Sequence, residues 1–132
     1  MFGFGESKKV ADDNNWRKLE REAAKSKRFE GYRVEEQKQS KSTGKRPDIF
    51  AINPHDSRDR IVGEAKCVKE LTPRHIQQAR SYKGSHYAKE GVVFVARDTK
   101  VPHNVRAEAR ASNISIDRTN VSRKKGLLDG FI

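Results

Sequence analysis

The chain has 132 residues, enough for one domain with a modest core, and its 33% hydrophobic content with six Phe and three Tyr argues against disorder. A formal net charge of +11, shared between both halves of the chain, exceeds what solubility needs and points to a polyanionic partner, chiefly nucleic acid. The single cysteine, Cys67, excludes an internal disulfide framework, and no apolar run approaches a membrane span or signal peptide, so a reducing, cytoplasmic setting is the expectation.

Residues 1–12 read as a flexible lead. From about Asn14 to Arg28 the spacing predicts a helix capped by Asn14 or Asn15, with Trp16, Leu19, Ala23 and Lys27 on one stripe and Gly31 at its end. Tyr32 to Gln39 alternates and predicts a strand, followed by a Ser/Thr/Gly/Lys loop from Ser40 to Lys45. Asp48 to Asn53 and Arg60 to Val68 predict two further strands, joined into a hairpin by a turn over Pro54 to Asp59. Thr72 before Pro73 predicts a helix start, and that helix runs to about Lys89. Val92 to Ala96 has the apolar run of a buried strand; Val101 to Ser112 predicts a third helix and Ile114 to Asp117 a last strand. From Arg118 to residue 132 the chain reads as a basic extension with an apolar end. The order α-β-β-β-α-β-α-β predicts an α/β fold, a mixed central β-sheet flanked by helices on both faces.

Chemistry concentrates in two adjacent runs, Arg46-Pro47-Asp48-Ile49-Phe50 and Ile61-Val62-Gly63-Glu64-Ala65-Lys66. Period-two alternation puts Val62, Glu64 and Lys66 on one face of their strand and Ile61, Gly63, Ala65 and Cys67 on the other. A hairpin centred near Asp56 or Ser57 sets Asp48 opposite Glu64 or Lys66. Two acids and a lysine on a covered face are costly unless an ion and a phosphate compensate them. On a solvated face they form an ordinary cross-strand ion pair of little worth. The residues alone leave both readings open.

Pro47-Asp48 followed by Glu64-Ala65-Lys66, in this element order, resembles the PD-(D/E)xK nuclease superfamily, the restriction-endonuclease-like fold, over roughly residues 15–117. Glu20-Arg21-Glu22 with Gly31-Tyr32-Arg33-Val34, and the Ser40-Lys41-Ser42-Thr43-Gly44 loop, look like the archaeal-type Holliday junction resolvases within it. Gln78 and Tyr82, four apart on one helix face, resemble the Gln-x-x-x-Tyr element of the RecB-like branch. His75 and His86 share roughly that face. The resemblance implies a nuclease domain over residues 13–117, with residues 118–132 as an extension. It implies that Asp48, Glu64, the Ala65 carbonyl and Glu20 hold Mg²⁺ or Mn²⁺, that Lys66 orients the nucleophile, and that Ser42, Gln78 and Tyr82 assist. Lys41, Lys45, Arg46 and Lys69 are expected on the DNA backbone.

The expectation is therefore a metal-dependent endonuclease acting on branched or duplex DNA, most like a junction resolvase, and a homodimer because cutting both strands needs two sites. A restriction, homing or RecB-like nuclease shares the site, and a non-catalytic basic nucleic-acid-binding protein is the alternative from another class. Phosphate-loop and zinc chemistries are not supported, since no Gly-rich loop precedes a lysine and no cysteine pair exists.

Overall fold

The computed structural model describes residues 15–36 and 46–124 of the chain. The first helix, α1, runs over Trp16–Phe29. Its apolar positions recur every three or four residues, so Leu19 and Ala23 lie fully buried on one stripe with Ala24 beside them. Lys27 continues the stripe, burying its stem while its ammonium reaches Glu30 at 3.2 Å. The chain leaves the helix through Gly31 at φ 94, a left-handed conformation that glycine adopts without penalty. Asn15 stands at the N-cap but makes no side-chain cap bond; its amide donates instead to the Ser122 carbonyl at 3.0 Å.

Three antiparallel strands follow: β1 at Arg33–Glu36, β2 at Ile49–Asn53 and β3 at Asp56–Lys66. The turn between β2 and β3 is tighter than the sequence suggested, with β3 beginning at Asp56 rather than Arg60. Asn53 pairs with Asp56 while its neighbour Ile52 pairs with Arg60, so Ser57, Arg58 and Asp59 form a bulge. The bulge restores the expected register, and Ile49 pairs with Gly63 and Phe50 with Val62.

The helix α2 spans Pro73–Ser85, β4 Glu90–Val95, α3 His103–Ala111 and β5 Ile114–Arg118. Two helices are shorter than expected. The second stops at Ser85, beyond which Tyr87 takes a positive φ of 53 that ends any helix, and the third begins after Pro102. The five strands lie in the order β1-β2-β3-β4-β5, with β3, β4 and β5 parallel. This is the α/β mixed sheet that the element order implied.

Alternation along the strands divides the core. Ile49, Ala51, Ile61, Val92 and Phe94 pack under α1, and Cys67 joins them as a small core residue. Val93, Val95 and Ile114 pack against Ile76 and Ala79 of α2 and Val105 and Ala109 of α3. Phe50 and Val62 form a smaller cluster with Ala88, and Ile52 and Tyr82 pack against it. Each fully buried Leu, Ile, Val or Phe contributes about 1.5–3 kcal/mol, so this two-sided burial dominates the stability.

The segment after β5 is held to the body. Arg118 donates to the carbonyls of Ala96, Arg97 and Thr99, Val121 is buried in the α1-side core, and Arg123 pairs with Asp98 at 3.2 Å. Among the described residues no helix is long and apolar enough to cross a membrane.

Candidate active site

The register that sets Ile49 beside Gly63 leaves Asp48, at the entry to β2, against Glu64 near the end of β3. Their contacts run through the backbone. The Asp48 N–H donates to Glu64 Oε2 at 2.9 Å, and the Ala65 N–H donates to Asp48 Oδ2 at 2.8 Å. The two acids are thus braced across the strand pair instead of splaying open at the strand start. Lys66 Nζ stands 3.5 Å from Glu64 Oε1.

This is not a solvated ion pair. Glu64 is only 3% exposed, and Lys66 is largely covered as well. Burial is the main force pushing the Glu64 carboxyl up to about 7, and the charge of Asp48 adds to it; the Asp48 amide and Lys66 pull the other way without cancelling it.

Glu20 arrives from α1, on the edge of its buried stripe. Its carboxyl is pushed up to about 8, first by burial, then by the charge of Asp48 and a hydrogen bond with it, and further by Glu36 and Glu64. The crowding therefore favours the protonated form of Glu20. Glu36, which adds to this field from β1, is a contributor the sequence did not single out; it also pairs with Arg28 at 3.5 Å.

The structure brings three carboxylates and one lysine to the end of β3 where the parallel strands finish, the edge at which open α/β sheets present their sites. Among the described residues no three His, Cys, Asp or Glu side chains form a ready coordination shell. The oxygens of Asp48 and Glu64 are turned onto backbone amides, Lys66 and Glu20. The donor chemistry still fits a hard divalent cation, since burial and mutual repulsion oppose ionising these crowded oxygen ligands and a cation among them would offset that cost.

One flank of α2 forms a wall of the site. Gln78 Nε2 donates to the Tyr82 hydroxyl at 3.3 Å, and the Tyr82 hydroxyl is raised by burial and by the charges of Glu64 and Asp48. The charge of Arg46 also reaches Tyr82, which puts that exposed arginine on the same side. Lys69 is exposed just beyond β3. Lys41, Ser42 and Lys45 lie outside the described residues. His86 does not join the site; it is buried against Ser85 and the Phe50 ring.

No protein-family model and no curated protein matches the sequence. Solved structures match in shape. A repair endonuclease from Pyrococcus abyssi aligns with a TM-score of 0.54 at 15% identity, covering 71% of this chain and 41% of its own. EndoMS in its apo form aligns with a TM-score of 0.47 at 14% identity, over 67% of this chain and 38% of its own. SfsA from Pyrococcus furiosus, in complex with Ca²⁺, aligns with a TM-score of 0.46 at 14% identity, over 76% of this chain and 52% of its own. This chain spans less than half the length of the repair endonuclease it matches. The likeness to that enzyme, together with the strand order, defines the fold as a restriction-endonuclease-like core.

Proposed function

We propose that this chain is a metal-dependent nuclease that hydrolyses DNA phosphodiesters. The observation that carries the reading is the overloaded acid cluster. Glu20, Asp48 and Glu64 crowd one covered spot with a single lysine, and two of them are held towards their protonated forms. A structural ion pair has no use for the extra acids. The fold shared with a repair endonuclease and the net charge of +11 support a DNA partner.

Asp48, Glu64, Glu20 and the Ala65 carbonyl would hold Mg²⁺ or Mn²⁺. The bound ion supplies Lewis-acid polarisation of the phosphate and a lowered pKa for a water. Lys66 stabilises charge on the phosphate and orients the attacking water. Gln78 and Tyr82 line the wall along which a strand would lie, while Arg46 and Lys69 neutralise backbone phosphates, as Lys41 and Lys45 would from the preceding loop. Ser42 belongs to that loop and would assist beside the metal. The narrower preference we propose is for branched DNA, on the likeness of residues 20–34 to junction resolvases, acting as a homodimer.

The test is cleavage of a four-way junction, a duplex and a single strand, each with Mg²⁺, Mn²⁺ or chelator. We expect metal-dependent cutting, fastest on the junction. Asp48→Ala and Lys66→Ala should bind DNA without cutting it. A wild-type protein that binds all three DNAs and cuts none would be a non-catalytic binding protein, and the proposal would be wrong.

A further inference from the structure

His75 occupies the third position of α2, where its Nδ1 accepts the Thr72 backbone N–H at 3.0 Å and lies 3.3 Å from the Thr72 hydroxyl. With the Thr72 side chain this completes a capping box at the helix start. An imidazole nitrogen that accepts an N–H carries no proton, so in the neutral ring the proton sits on Nε2. The cap therefore sets the tautomer. It also removes His75 from the candidate metal ligands, since Nδ1 is occupied and Nε2 has no free lone pair.

Nε2–H has no acceptor among the described residues, although the ring is half-buried. Its surroundings point to the acid-lysine centre. Tyr82 packs on the Phe50–Val62 cluster, on the face of β3 that alternation gives to Val62, Glu64 and Lys66, and burial and then the positive charge of Lys66 lower the His75 pKa. His75, Gln78 and Tyr82 follow one another at helical spacings of three and four, so they share a flank of α2. Tyr82, at the far end of that row, lies within the field of Glu64 and Asp48. The row thus runs alongside the site from Lys66 to the carboxylates, and the His75 Nε2–H is the donor at its Lys66 end.

We propose that His75 is a substrate-contacting residue, a neutral donor whose Nε2–H binds a phosphate oxygen of the DNA strand seated beside Lys66. A neutral donor adds a directed hydrogen bond without placing a second cation next to Lys66. The inference rests on the nuclease reading above.

Three variants of the full chain separate this role from helix capping. Glutamine and glutamate both suit this capping-box position, but only glutamine retains an N–H, and leucine supplies neither function. We expect His75→Gln and His75→Glu to melt with the wild type and His75→Leu to melt lower. On the DNA that the wild type cleaves, kcat/KM should fall about ten- to hundredfold in His75→Glu, the worth of one hydrogen bond to a charged group. His75→Leu, assayed well below its melting point, should lose as much, which excludes added charge as the cause. His75→Gln should stay within a few-fold. Wild-type cleavage by His75→Glu and His75→Leu would make the residue a helix cap alone and overturn the inference. A wild-type protein that cuts nothing would overturn the nuclease reading instead.

Discussion

The strand pair β2–β3 carries a polar cluster at each end, and the two are built on opposite principles. At the hairpin end one carboxylate, Asp59, meets three donors: the Tyr32 hydroxyl at 2.9 Å, the Asn53 amide at 3.1 Å and Lys89 Nζ at 3.1 Å. The Asn53 hydrogen bond, with those from Lys89 and Tyr32, draws the Asp59 carboxyl below its ordinary value against the desolvation that opposes it. At the other end three carboxylates meet one lysine, and burial with mutual repulsion raises Glu20 and Glu64. Three donors surround one carboxylate in the first cluster, whereas three carboxyls share a single cation in the second. Matched polar groups hold a fold together, whereas an unbalanced, buried set is the pattern of a candidate functional site.

The sharpest test of that contrast removes one acid from each end. Asp48→Ala should lower cleavage by roughly a hundred- to thousandfold or more, the scale of losing a principal electrostatic contributor, while folding stability changes little, because relief of the crowded charge offsets the loss of the acceptor for the Ala65 N–H. Asp59→Ala should do the reverse. It leaves the Tyr32 and Asn53 donors unpaired, costs about 1–2 kcal/mol in denaturant unfolding, and leaves cleavage unchanged at temperatures where the protein is folded. Equal effects of both substitutions on both readouts would dissolve the distinction.

The pH dependence of stability carries opposite signs at the two ends. Glu20 and Glu64 have folded pKa values above the ordinary 4.5, so their contribution is fully present below about 4.5 and is lost as pH rises through 7 to 8. Asp59 is lowered, so its contribution is present above its ordinary 3.8 and is lost as pH falls through the folded value. In chelator, thermal melts should therefore show a decline between pH 5 and 8 that Glu20→Gln makes shallower. An unchanged slope in that variant would separate Glu20 from the cluster. The smallest expected effect is Lys89→Ala, an exposed partner whose loss should leave cleavage untouched and move the melt only slightly.

Much of this contrast can be read from the residues in order, and where it cannot, the reason is physical. Alternation places Glu64 and Lys66 on one face because a strand's period is fixed, and it places Glu20 beside a buried stripe because a helix's period is fixed. The turn itself is misread, since Pro54 to Asp59 has the composition of a loop whether or not its last residues pair. The pairing of Asp48 with Glu64 survives because the bulge absorbs the same three residues. Asn15 looks like a cap yet ties down Ser122, a partner 107 positions away that no local pattern shows. His75 gains its meaning from a bond to its own helix start, which sets the ring's tautomer, and spacing does not encode tautomers.

The bulge at Ser57–Asp59 has a consequence for how this protein can change. A one-residue slip in a hairpin turns every following side chain to the opposite face, so a strict ladder would lock the length of the loop to the position of Glu64. Here the offset is taken up between Ile52 and Asn53, and strict pairing resumes at Arg60, directly after Asp59, which three donors grip. Residues 54–58 form a length buffer. Insertions there are expected to alter the hairpin tip while the pairing that sets Asp48 against Glu64 stays as it is.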